Sequence, residues 1–415
     1  MAADAEFLVL GAGASGLTAA ARLRELGRKV LVVEADSRVG GRLRTDEADG
    51  FRFDHGFQVL LTAYPAVQRW LDLDALGVRA FRPGAYVLLP GGRTTTIGDP
   101  LREPSAALPT LASPVGSLSD KLRLLRLVAY VRSRSPEQLF ASEETSTDAY
   151  LRRRRFSEDF VERFFRPFYG GIFLERGLAT SSRMFLFTFK MFAEGQAVLP
   201  AGGIQAIAEQ LADRLGPGSL LLGEPVARVE GRRVDLASGR TLEAARAVLD
   251  TTSPPPGHAD EHPQRDWLRT VNVYFAAHEL GLPMRLITLL PGGCPVNNVA
   301  VLDGVQPTYA AGQERLVSVT VFGPRGRDLD FYAAEVRRSL RPWLGETLDA
   351  WRPLRHYEVG HALPLSRHVS WSEDPARWQV AAGHYRFGDY RLHPSLQAAM
   401  HAGTTAADHV AGLAA

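Results

Sequence analysis

Cysteine and lysine are almost missing from this chain of 415 residues. Cys294 is the single cysteine, which excludes an internal disulfide, a cysteine-rich metal or iron–sulfur site, and a redox-active disulfide. Lysine occurs only at Lys29, Lys121 and Lys190, so the basic charge is nearly all arginine. Neither sign of charge is in excess: 48 basic against 46 acidic residues leave a formal net charge of +2, which gives no footprint for a nucleic-acid partner. No apolar run reaches the roughly 18 residues of a membrane span. Asp4 and Glu6 lead straight into the first apolar stretch, a start that predicts no secretory leader and a cytoplasmic protein, with peripheral membrane contact left open. His356 and His361 lack partners at ligand spacing, and His393, His401 and His409 rotate around their helix, so no metal is expected.

What is present concentrates first in Phe7 to Arg44. Phe7 to Leu10 is a continuous apolar run, the pattern of a strand buried on both faces of a parallel sheet. Gly11, Gly13 and Gly16 follow in G-x-G-x-x-G spacing, Leu17 to Leu26 reads as a helix ending at Gly27, and Lys29 to Val33 supplies a second strand. In this setting Gly11 permits the tight turn, Gly13 lets backbone approach a pyrophosphate, and Gly16 lets helix pack on strand. Phosphates would sit on the helix N-terminus at Ala14 and Ser15, where free N–H groups and the dipole favour anions. Glu34 closes the second strand, where a carboxylate accepts from ribose hydroxyls and repels a 2'-phosphate; Ala35 follows it. A dinucleotide site in an α/β protein is the reading.

The continuation, Gly40-Gly41-Arg42-Leu43-Arg44-Thr45 and then Phe53-Asp54-His55-Gly56-Phe57-Gln58, resembles the FAD-dependent flavin amine oxidase and phytoene desaturase superfamily, which also holds protoporphyrinogen oxidases. The resemblance implies FAD as cofactor. It implies that Arg42, beside Gly41, reaches the FAD phosphates and ribityl chain, and that Gly56, Phe57 and Gln58 run beside the isoalloxazine. A solvated loop is the plainer alternative for Arg42 and Arg44. It further implies that the backbone of Val226 pins the adenine, that the closing pair Gly388-Asp389 binds the ribityl chain, and that the helix after Pro394, Ser395 and Leu396 aims its N-terminus at the flavin pyrimidine edge. A helix dipole there stabilises the anionic reduced ring.

A chain of this length exceeds the roughly 250 to 300 residues of one core. The expected architecture is a discontinuous Rossmann-like FAD-binding domain, 1–85, 199–262 and 360–415, plus an α+β substrate domain with a mixed or antiparallel sheet, 86–198 and 263–359. Tyr64 to Leu76 reads as helix, Ala85 to Leu89 and Arg93 to Ile97 as a hairpin, and Pro254-Pro255-Pro256 as a crossing between domains. Ser119 to Arg132 predicts a basic amphipathic helix suited to its own domain or to an anionic membrane. Ser157 caps a helix that Pro167 stops, and Pro342 stops another over Phe331 to Leu340. Val317, Val319 and Val321 alternate with Ser318 and Thr320, as in a half-buried strand. The aromatic segment Phe160 to Phe192 is core, part of it a lining for a large apolar substrate.

No second G-x-G-x-x-G follows a strand, so no NAD(P)H site is expected and electrons leave to oxygen, a quinone or another acceptor. Amine oxidases of the superfamily usually place a lysine near flavin N5; here Arg269 to Phe275 reads RTVNVYF. That departure tilts the reading toward phytoene desaturase-like hydride removal from an apolar small molecule such as a carotenoid. An amine oxidase or protoporphyrinogen-oxidase-like enzyme is the alternative, and a non-redox flavoprotein, isomerase or scaffold, the alternative of another class. His55, Tyr309 and His361 are conceivable pocket groups, and no catalytic residue is assigned.

Overall fold

The apolar run Ala5–Leu10 becomes the centre of a parallel layer. In the computed structural model, which describes residues 3–252, 267–366 and 368–412, its neighbours are Val30–Val33 on one side and Thr241–Asp250 on the other, both parallel. Leu220–Leu221 extends this layer beyond Val30–Val33, and His384–Arg386 extends it beyond Thr241–Asp250, again parallel. Strands from the beginning, middle and end of the chain thus share one sheet. An antiparallel hairpin, Val226–Glu230 and Arg233–Leu236, branches from the first residues of Thr241–Asp250. Helices Ala14–Glu25 and Leu396–Val410 cover one face in close contact, so close that a Cβ on Gly403 would lie 2.3 Å from the Ser15 carbonyl oxygen.

The second sheet among the described residues runs Arg352–Pro364, Trp267–Ala277, Arg315–Val321, Val296–Val301, Ile287–Leu289, Gly84–Leu89 and Arg93–Gly98. Only Ile287–Leu289 and Gly84–Leu89 pair in parallel, so the sheet is mixed and mostly antiparallel, as expected. The strand Arg352–Pro364 runs unbroken past residue 360, where the sequence reading drew a boundary. The triple proline at 254–256 and the junction at 262–263 lie outside the described residues. A helical group includes Leu118–Arg132, Arg166–Phe173 and Ser182–Glu194; the first and last of these pack together, and Arg166–Phe173 packs on Val296–Val301.

Four local expectations need correction. Pro167 stops nothing: the segment Val161–Phe165 forms a π turn that delivers Pro167 to the first turn of Arg166–Phe173, where a missing N–H costs no bond. Pro342 lies in the last turn of Leu329–Leu344, which tolerates one lost bond. The helix at Tyr64 is only Pro65–Trp70, because Leu71 turns extended and Asp72 caps a turn at Ala75. The strand Arg315–Val321 is buried on both faces, Ser318 and Thr320 included, because it lies between Trp267–Ala277 and Val296–Val301 with a layer on either side.

Candidate active site

The glycine turn forms as its spacing predicts. Gly11 adopts φ +94°, and a Cβ on Gly16 would lie 2.0 Å from the Gly11 carbonyl oxygen, so both positions need glycine for the protein's own packing. Gly13 differs. Its φ of −81° suits any residue, and a Cβ there meets no protein atom within 4 Å. Nothing in the polypeptide demands glycine at 13; a group resting against it would. The helix it opens has no side-chain cap and no acid in its first turn, leaving the N–H groups at Ala14 and Ser15 toward an anion. Gly40 and Gly41 close the opposite wall, with Gly40 N–H donating to the Ala12 carbonyl at 2.9 Å and a bridge joining Gly13 to Gly40.

Glu34 accepts from the Ala12 N–H at 2.6 Å through one oxygen and from the Asp36 N–H at 2.9 Å through the other. Its carboxylate therefore braces the glycine turn. Ala35 beside it is exposed, and the chain at Gly223 and Glu224 donates to the carbonyls of Asp36 and Glu34, which brings Val226 alongside. Arg42 and Asp389, 347 residues apart, form an ion pair at 2.7 Å. Gln58 donates to the Arg42 carbonyl at 3.0 Å and to the His55 carbonyl at 3.1 Å, locking the loop before Gly56. Ser395 caps the closing helix by accepting from the Ala398 N–H, and Gly388 immediately precedes Asp389.

Arg42, Gly56, Phe57, Gln58, Pro394, Ser395 and Leu396 all line one cavity of about 790 Å³. From these residues it extends into an aromatic lobe made by Phe164, Phe168, Tyr169, Phe173, Phe189 and Phe192. Phe160, Phe165 and Phe185 instead meet edge to face in the buried core, where Phe187 packs on Tyr64 and Phe140. Of the three conceivable pocket groups, His55 lines the cavity, Tyr309 is buried with its hydroxyl on Asp54 at 2.7 Å, and His361 packs edge-on against Trp267. Lys190 lies outside the lining, donating to the Val131 carbonyl and to Glu194. Beneath the His55 loop, burial pushes the Asp54 carboxyl up, opposed by donors from Thr45, Ile204 and Tyr309. Asp46 goes the other way: despite burial, Arg38, His55 and Tyr357 hold it well below the usual carboxylate range. Burial also pushes His55 down, with Asp46 opposing.

With that geometry in place, comparison with known proteins is decisive at the level of family. The model of the flavin containing amine oxidoreductases matches residues 14–280. The chain belongs to that family. Protoporphyrinogen oxidase 2, chloroplastic/mitochondrial, of Arabidopsis thaliana is 32% identical over 163 residues, 39% of this chain and 31% of that protein. The 4,4'-diapophytoene desaturase (4,4'-diaponeurosporene-forming) of Staphylococcus haemolyticus is 44% identical over 61 residues, 14% of this chain and 12% of that protein. The chain thus matches about a third or less of the length of these curated relatives. A solved structure of putrescine oxidase bound to putrescine shares the fold, with a TM-score of 0.67 at 19% identity over 98% of this chain and 99% of that one. As a member of that family the chain has FAD as its cofactor.

The residues present fit FAD. The helix end is ready for an anion, Gly13 leaves its Cβ direction open, and beyond the Gly13–Gly40 bridge Arg42, held by Asp389, lines the cavity. Three lining residues were missed by sequence reasoning: Thr270, Asn298 and Thr320, on three strands of the second sheet. For Thr320 the signal was a polar residue inside a Val-rich strand, which the half-buried reading of 317–321 sent to solvent.

Proposed function

We propose that this flavoenzyme dehydrogenates a largely apolar organic molecule in the manner of a phytoene desaturase, reoxidised by oxygen or a quinone. The observation that carries this reading is the single cavity that joins the expected flavin-edge segments to the aromatic lobe. Bound FAD supplies a hydride acceptor at flavin N5. The chain's own part is to exclude water with the aromatic wall and to hold a substrate C–H bond in reach. The residues 1–85, 199–262 and 360–415 form the cofactor unit in this reading, and 86–198 with 263–359 the substrate unit. An amine is disfavoured: none of the three lysines lines the cavity, and of its two acidic lining residues Glu103 is already paired with Arg82.

A membrane contact belongs to the same proposal. The exposed Leu101 and Leu125 line the cavity together with Arg102 and Arg132, and exposed Leu118 and Leu122 lie on the same helix as Leu125. Such a rim suits delivery of an apolar molecule from an anionic bilayer. Among the described residues no helix is long and apolar enough to cross a membrane.

The test is anaerobic mixing of the FAD-loaded protein with carotenoids, amines and protoporphyrinogen, following bleaching of oxidised flavin with product analysis alongside. Bleaching by an apolar class with a dehydrogenated product supports the proposal. Bleaching by amines alone overturns it, and substrate rearranged with no net redox change moves the chain to the isomerase class.

A further inference from the structure

We infer that the cavity floor carries a polar subsite, formed by Thr270, Asn298 and Thr320, which takes a hydrogen-bond-accepting oxygen of the substrate. The inference rests on the oxidoreductase reading and narrows it: the substrate is apolar in bulk but not a pure hydrocarbon. Asn298 and Thr320 are direct cross-strand partners on Val296–Val301 and Arg315–Val321. Thr270 lies on the next strand, two residues before Asn272, which is itself opposite Thr320, so Thr270 shares a face with both. All three line the cavity, and all three are more than nine-tenths buried.

Each also points an unpartnered polar atom: the hydroxyls of Thr270 and Thr320 and the amide nitrogen of Asn298 have no hydrogen-bond partner. Buried polar atoms are almost always paired, so three orphans converging on one cavity mark a missing partner. The chemistry of that partner follows from Asn298. Asn297 donates its side-chain amide to the Pro167 carbonyl, which accepts only, and this fixes the orientation of the Asn297 amide. The same amide donates to Asn298 Oδ1 at 3.0 Å, which fixes Asn298 in turn and leaves its NH₂ as the unpartnered group of a cavity-lining residue. An NH₂ group only donates, while the two hydroxyls can donate or accept. The complementary group is therefore an acceptor: a carbonyl, carboxylate or hydroxyl oxygen.

Location assigns this group to substrate. A Cβ on Gly56 would lie 3.9 Å from the Thr270 methyl, so Thr270 abuts the segment expected beside the isoalloxazine. Asn298 lies at the other end, its Oδ1 only 3.1 Å from where Gly171 would carry a Cβ, under the aromatic lobe. The row thus runs from the cofactor edge into the space left for substrate. The neighbouring pair Asn272 and Ser318 bond each other and need nothing further.

The test uses the FAD-loaded protein and two probes of one skeleton, 4-phenylcyclohexanone and phenylcyclohexane, titrated by calorimetry, a readout that does not depend on the flavin. The ketone is expected to bind at least about tenfold more tightly than the hydrocarbon. In T270V, T320V and N298L the gap should shrink toward equality while hydrocarbon affinity holds. T270V and T320V keep side-chain shape, so they decide the matter if N298L does not fold. Equal affinities in the wild type, or a gap that survives both valine variants, would overturn the subsite and mean that ordered water already satisfies these groups. FAD content, read from visible absorbance of the same samples, separately tests the oxidoreductase reading.

Discussion

The nucleotide groove and the cavity floor are built by opposite means. The groove is backbone: Gly13 leaves empty space, the uncapped helix start at Ala14 and Ser15 offers N–H groups, and its side chains, Glu34 and Arg42, are held by partners within the protein. The floor is side chain: Thr270, Asn298 and Thr320 stand on rigid strands with polar atoms unspent. A backbone site recognises what all members of a cofactor class share, a pyrophosphate. A side-chain site on strands can be re-specified one residue at a time without disturbing the sheet, which suits the part that chooses substrates.

The largest expected effect separates the two glycine roles. Gly16→Val forces a side chain onto the Gly11 carbonyl and should destabilise the cofactor-free fold by more than about 3 kcal/mol, seen in chemical denaturation. On the substrate side the matching experiment is Asp120→Ala. This buried carboxylate accepts from the N–H and hydroxyl of both Ser117 and Ser157, tying Leu118–Arg132 at the cavity mouth to the helix under the aromatic lobe. Its loss should cost about 2–4 kcal/mol. Despite burial, the serine donors hold Asp120 down to about 2 from 3.8, so its contribution is present above pH 3.8 and lost as pH falls toward 2.

An effect spread over pH marks the closing helix. His393 is packed among Phe140, Phe187 and Trp371, and burial, helped by His401, pushes it down to about 3 from 6.5. The unfolded chain binds that proton first, so stability should rise with pH between about 3 and 6.5, by at most ~1.4 kcal/mol per unit. His393→Phe should flatten that slope in pH-dependent denaturation. Smallest is the rim: Leu122→Glu with Leu125→Glu should leave stability within about 0.5 kcal/mol while abolishing flotation with phosphatidylglycerol vesicles. Unchanged flotation would remove the membrane contact from the account.

Why the two regions differ in legibility follows from distance along the chain. The strand, glycine turn, helix and acid of residues 7–34 are contiguous, so local spacing carries the expected nucleotide site, and Arg42 and Asp389 were singled out because each sits in its own short motif. Their ion pair across 347 residues was not visible until folding joined them. The floor has no motif. It exists only because the register pairs Asn298 with Thr320 and sets Asn272 opposite Thr320, bringing Thr270 to the same face. The alternation of Val and Ser/Thr in 315–321 was read correctly as strand but wrongly as half exposed, since a period of two does not say what covers the second face. Likewise Pro167 and Pro342 are read locally as stops, and tertiary context places each where its missing N–H is tolerated.

If a pyrophosphate of FAD rests on Gly13, a side chain at that position should weaken cofactor binding without weakening the fold. Wild-type protein and Gly13→Ala are stripped of cofactor, compared in thermal unfolding, and titrated with FAD. The cofactor-free proteins should unfold together, because a Cβ at 13 meets no protein atom and the backbone there is ordinary. Wild type should then bind one FAD per chain, and the variant should bind at least about tenfold more weakly. A wild-type chain that takes up no FAD, or a variant that binds it equally well, would contradict the account.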